Sequence, residues 1–244
     1  VEAGLRSFDR RMPEEINRLI TDQLSDLLFT PSKDGNSNLI KEGIPESKIH
    51  FVGNVMIDTL IKLLPKADKP NNFKDLKRYI LVTLHRPSNV DDPKSLKSIL
   101  QNLEIISKSI PVIFPVHPRT KKMITTNNFE ILNNENFHII EPLGYLNFLG
   151  LMKNSATVIT DSGGVQEETT YLGIPCITIR ENTERPITVS LGTNQLIGKD
   201  YFTIPDIVNN TVNRKNRSNA IPPLWDGRAS DRIAETLIVY CKNL

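Results

Sequence analysis

The residues best suited to chemistry fall where apolar runs end and helical patterns begin. In ATVITDSGGVQEETTYLG, from Ala156 to Gly173, an apolar run stops at Asp161, Ser162 can cap the next helix, and Gly163 and Gly164 bare its first turn. Unshielded N–H groups at a helix start attract phosphate, and Glu168, one turn on, can accept from a pair of sugar hydroxyls. That combination suits a nucleoside diphosphate, or else SGG is only a tight turn. RENTERP brings Arg185 to the same sheet edge, where a guanidinium can clamp diphosphate oxygens, or else it is an ordinary surface arginine. TLHRPSN and PVHPRT each end a strand with a His–Arg pair, His85 with Arg86 and His117 with Arg119. A strand-end histidine can donate to a leaving phosphate, although a lone histidine is more often a hydrogen-bonded loop residue. Phe148, in YLNFLGLM, is either a core aromatic or a flat platform for a base. Glu2 and Glu14 can share the handling of a proton and a developing cation on a sugar ring, although Glu14 also suits a helix dipole by itself.

Those residues need elements to hold them. From Pro13, apolar side chains at Ile16, Leu19, Ile20, Leu24, Leu27 and Leu28 repeat with a helical period, and Pro13, Glu14 and Glu15 suit a first turn. LLFT then reads as a strand, Asp34 to Glu42 as a polar helix, IHFVGN as a strand, Val55 to Leu64 as a helix, and PKADKPNNFKD as a linker. Beyond it, the strands YILVTLH, PVIFPV, FHIIEP, ATVITD and PCITIR alternate with helical stretches. Such alternation predicts an α/β fold with parallel sheets, in which ligands bind beyond the carboxyl ends of the strands.

Composition narrows the function. Thirty basic against 28 acidic side chains leave a net charge of +2, too little for a nucleic-acid-binding surface. NRKNRSN, at 213–219, reads as a solvated loop. Cys176 and Cys241 have neither disulfide nor metal spacing, which fits a reducing cytoplasm, and no run is long enough to span a bilayer. The first residues, VEAGLR, read as the exit of a strand, so the chain is expected to begin inside a domain.

Taken in order, VEAGLRSFDRRMPEEINR, TLHRPSNVDD, PVHPRT, ITDSGGVQEE, TYLGIPCITIRENTERP and LGTNQLIG closely resemble the non-hydrolysing UDP-N-acetylglucosamine 2-epimerases, from Val1 to the DGRASDRI segment. The resemblance implies a glycosyltransferase-B-type fold of two Rossmann-like domains with parallel sheets. Here 1–53 would be the last part of the first domain, 54–228 the UDP-binding domain, and 229–244 a helix returning to the first. It implies interconversion of UDP-GlcNAc and UDP-ManNAc for surface polysaccharide, by elimination of UDP and re-addition through a 2-acetamidoglucal, with no NAD or metal. Ser162, Gly163 and Gly164 would hold phosphate, Glu168 the ribose, and Arg185 the diphosphate, with Phe148 bordering the nucleotide. His85 would stabilise departing UDP, and Glu2 and Glu14 would serve C2. Arg86 and His117 match positions that bind a second, activating UDP-GlcNAc in some bacterial members, and the family implies a homodimer. Two family motifs, G-T-R-P-E and H-G-D, do not occur in these 244 residues. This chain is therefore expected to bind UDP with little or no turnover; a glycosyltransferase of the same fold and an inactive UDP-sugar-binding fragment are the alternatives.

Overall fold

Eight strands form among the residues described by the computed structural model, which are 1–129, 135–213 and 220–242. They are β1 (Leu28–Thr30), β2 (Ile49–Phe51), β3 (Ile80–Thr83), β4 (Val112–Pro115), β5 (Phe137–Ile140), β6 (Thr157–Thr160), β7 (Cys176–Thr178) and β8 (Asn194–Leu196). Residues 214–219 of the basic run lie outside the described residues. The chain divides into two units, Val1–Pro65 with Thr183–Gly192 and Ala220–Leu244, and Lys66–Asn182 with Thr193–Asn219. No helix among the described residues is long and apolar enough to cross a membrane.

The second unit holds a six-stranded parallel sheet in the order β5-β4-β3-β6-β7-β8. Its inner strands are apolar on both faces, as a sheet covered on both sides requires. On one face Ile80, Val82, Val112 and Phe114 pack with Leu96, Ile99, Leu103 and Ile106, the stripe of the helix Pro93–Ser107. On the other, Leu81, Ile113 and Val158 pack with Leu151, Met152, Val165 and Ile174. Strand order reverses direction where β3 adjoins β6, so the crevice beyond their carboxyl ends is the expected ligand position. His85 follows β3 and Asp161 follows β6.

Two sequence expectations change here. PKADKPNNFKD is more than a linker: Ala67 and Phe73 are buried, and Lys153 Nζ donates to the Ala67 carbonyl at 2.5 Å. β8 was not anticipated, because three residues, NQL, give too little periodicity to read.

In the first unit β1 and β2 pair in parallel. The expected boundary after residue 53 differs from this division, because the helix Val55–Leu63 belongs to the first unit. Asp58 of that helix accepts from the N–H groups of Ala229 and Ser230, capping the helix Ala229–Lys242. The expected boundary after 228 likewise moves to Ala220, since Trp225 is buried and its Nε1 donates to the Pro31 carbonyl at 3.0 Å.

The helix Pro13–Leu24 forms as its period predicts, yet its buried residues are Glu15 and Asp22, while Ile16, Ile20 and Leu24 are exposed. Hydrogen bonds explain the reversal. Asp22 accepts from Gly4 N–H at 3.0 Å and pairs with Arg6 at 2.7 Å, and Arg6 also grips Glu42. Each buried charge thus has a partner that offsets its desolvation.

Candidate functional site

Asp161 is fully buried at the end of β6 and gathers donors from the turn after β3. It accepts from the backbone N–H of His85 at 3.1 Å and of Arg86 at 2.9 Å, and from Asn89 Nδ2 at 3.1 Å. The His85 ring completes the set, with Nδ1 at 3.0 Å from Oδ1. Burial alone would raise the Asp161 carboxyl; the bonds from His85, Arg86 and Asn89 outweigh it and hold the group below the usual aspartate range. A carboxylate on Nδ1 fixes the proton there, so Nε2 of His85 is the nitrogen left for a ligand. Asn89 also donates to the Ile179 carbonyl at 2.9 Å, tying the turn to the chain beyond β7.

The ring of His117 lies 5.6 Å from that of His85, centroid to centroid. His117 caps the helix Pro118–Thr126, its Nδ1 accepting from Arg119 N–H at 3.2 Å, so the neutral ring carries its proton on Nε2. Arg119 pairs with Asp91. Arg86 donates from Nε to the Asp161 carbonyl at 3.1 Å, so both His–Arg strand ends and Asp161 form one cluster.

The helix Gly163–Leu172 starts beside that cluster. Ser162 stands at its N-cap position without the side-chain cap bond that the sequence suggested. A Cβ built on Gly164 would meet nothing within 4 Å, so a ligand can approach the first turn closely. The helix ends at Gly173, whose φ of +66° suits a residue lacking a Cβ. One turn in, Glu168 is buried and accepts from the Tyr145 hydroxyl at 2.7 Å. Burial raises the Glu168 carboxyl, and the tyrosine bond only partly offsets that. Phe148, one turn along the helix Tyr145–Lys153, is half-buried against the Leu151–Val165 cluster.

Glu2 and Glu14 lie in the first unit. Glu2 adopts a φ of +59°, an uncommon conformation for a residue with a side chain. Its neighbours hold it there, Ala3 N–H donating to the Phe29 carbonyl at 3.0 Å and Gly4 N–H to Asp22. Glu14 is exposed in the first helical turn. Glu15 instead turns inward, accepting from the N–H groups of Ser7 and Phe8, the Ser7 hydroxyl and Arg18. Burial raises the Glu15 carboxyl, and those donors prevail and lower it. Arg18 reaches on to buried Glu184 at 3.4 Å, and Glu184 stands beside Arg185. Arg185 belongs to the first unit, within Thr183–Gly192.

Asn89 and Tyr145 were not singled out in the sequence, since each stands inside an ordinary polar turn or helix. Asp161 was among the strand ends expected to carry chemistry, directly before SGG, but its bond to His85 has no local signal.

Residues 1–238 match the family described as UDP-N-acetylglucosamine 2-epimerase. The chain belongs to that family. The UDP-N-acetylglucosamine 2-epimerase of Methanocaldococcus jannaschii is 45% identical over 250 residues, which cover 97% of this chain and 67% of that protein. The one of Methanococcus maripaludis is 46% identical over 232 residues, covering 90% of this chain and 62% of that protein. This member of the family thus spans 67% and 62% of the length of these two relatives. A crystal structure of the M. jannaschii UDP-GlcNAc 2-epimerase in complex with UDP-GlcNAc and UDP matches with a TM-score of 0.87 at 44% identity, over 98% of this chain and 68% of that one. The fold class is glycosyltransferase-B type, α/β with parallel sheets.

Proposed function

We propose that this protein interconverts UDP-GlcNAc and UDP-ManNAc by eliminating UDP and adding it back. The observation that carries the reading is the buried Asp161 holding the His85 ring beside the bare start of the helix Gly163–Leu172, in a chain of this family. The helix start and Gly164 receive the diphosphate, and Glu168 the ribose. Protonated His85 donates from Nε2 to the departing diphosphate, while Asp161 stabilises the imidazolium. Arg185 offsets phosphate charge, and Phe148 borders the base.

The C2 proton next to an N-acetyl group is weakly acidic, so the anomeric C–O bond breaks first. The electron pair leaves with UDP, and a carboxylate of the pair Glu2 and Glu14 stabilises the oxocarbenium character and takes the C2 proton. The product is 2-acetamidoglucal. Protonation at C2 from the opposite face and return of UDP to C1 complete the epimerisation, and no atom is gained or lost. The strained φ of Glu2 supports a functional role, since such conformations cluster at active sites. Arg86 and His117 are read as the contacts of a second, activating UDP-GlcNAc, supported by their place in the same cluster as His85. A homodimer acting in the cytoplasm completes the reading, and two unpaired cysteines suit that compartment.

Calorimetry with UDP tests the nucleotide site, and NMR of UDP-GlcNAc in deuterated water tests the chemistry. Heat on UDP addition is expected, and any turnover, however slow, should give UDP-ManNAc with deuterium at C2 of the recovered sugar. Epimerisation without deuterium at C2, or release of free ManNAc, would overturn the mechanism.

A further inference from the structure

We propose that Tyr145 is a positioning residue that makes the nucleotide site select ribonucleoside over 2′-deoxyribonucleoside diphosphates. The inference rests on the nucleotide reading above and extends it to a residue that the reaction scheme does not use. Glu168 is 4% exposed, and burial pushes its carboxyl toward the neutral form, which is a poorer acceptor. The Tyr145 hydroxyl opposes that shift through a 2.7 Å bond to Oε1. One donor occupies only one of about four acceptor directions on a carboxylate, so the group remains open to a 2′,3′-diol.

Tyr145 is well placed to hold that geometry. It opens the helix Tyr145–Lys153, whose Leu149, Leu151 and Met152 are buried and fix the backbone behind it. Its phenol is itself pushed up by burial and by the neighbouring Glu168, so it stays a donor throughout the working pH range. A 2′-deoxy ligand would leave a buried charged acceptor short of a donor, a loss of roughly tenfold or more in affinity.

The test is calorimetric titration of the whole chain with UDP and with 2′-deoxy-UDP between pH 5 and 8, for the wild type, Tyr145→Phe and Glu168→Gln. The wild type is expected to favour UDP by about tenfold. In Tyr145→Phe the preference should shrink several-fold, and its decline on acidification should begin at higher pH, because Glu168 has lost the bond that keeps it ionised. Glu168→Gln should lose the preference at every pH. A merely structural tyrosine would weaken both ligands equally and leave the ratio and its pH profile unchanged, and that result overturns the proposal. An unchanged preference in Glu168→Gln, or none in the wild type, overturns it as well. Absence of UDP binding by the wild type would sink the nucleotide reading itself, whereas normal selectivity in Tyr145→Phe sinks only the role of the tyrosine.

Discussion

Asp161 shows how much a single residue can organise. It keeps its charge while fully buried because three kinds of donor meet it, main chain, amide and imidazole. A carboxyl whose folded pKa lies below its unfolded one stabilises the fold at neutral pH. That contribution is lost as pH falls from about 4 through the lower folded value. Asp161→Asn is therefore expected to reduce stability by about 1–3 kcal/mol at pH 7. Urea titrations should show this gap narrowing below about pH 4, and a gap constant with pH would contradict the assignment. Turnover should fall by roughly a hundredfold or more, since His85 loses the partner of its imidazolium. Gly164→Ala separates binding from folding. The added methyl meets open space in the protein, so the melting temperature should hold or rise slightly, while UDP affinity drops by about tenfold or more. Unchanged affinity in that variant would place the phosphate elsewhere.

Among the elements, the helix Tyr145–Lys153 rests on a segment that looked structureless in sequence. A Cβ on Gly150 would come within 2.2 Å of the Asp68 carbonyl group, which is main chain and cannot swing aside. Gly150→Ala is expected to cost about 1–3 kcal/mol despite the better helix propensity of alanine, as a shift of the urea midpoint would reveal. Periodicity located the helix but was silent about this contact, because close backbone approach depends on partners distant in the chain. The helix Pro13–Leu24 teaches the converse. Its apolar period gave the element correctly, yet Glu15 and Asp22 are the buried positions, because loop amides and Arg6 supply partners that no local pattern encodes.

For the molecule as a whole, the two cysteines report on burial. Cys176 is buried in β7 with its thiol pushed up to about 11 by burial, whereas Cys241 is exposed. Native alkylation at pH 8 should add one adduct, at Cys241, and denaturant should admit the second; mass spectrometry distinguishes the two. Two native adducts would mean that the β7 core opens readily. The sequence by itself determined the α/β class, because parallel strands need crossovers and leave an alternation of apolar runs and helical stripes that can be read locally. It also determined the family, since segments such as ITDSGGVQEE and TERP are contiguous along the chain. Only the tertiary structure decided that Asp161 serves His85 across 76 positions, that Tyr145 serves Glu168, and that Arg185 and the helix Val55–Leu63 fall in the first unit. Hydrogen bonds and burial act through space between residues far apart in sequence, and a one-dimensional pattern carries no record of which partners will meet.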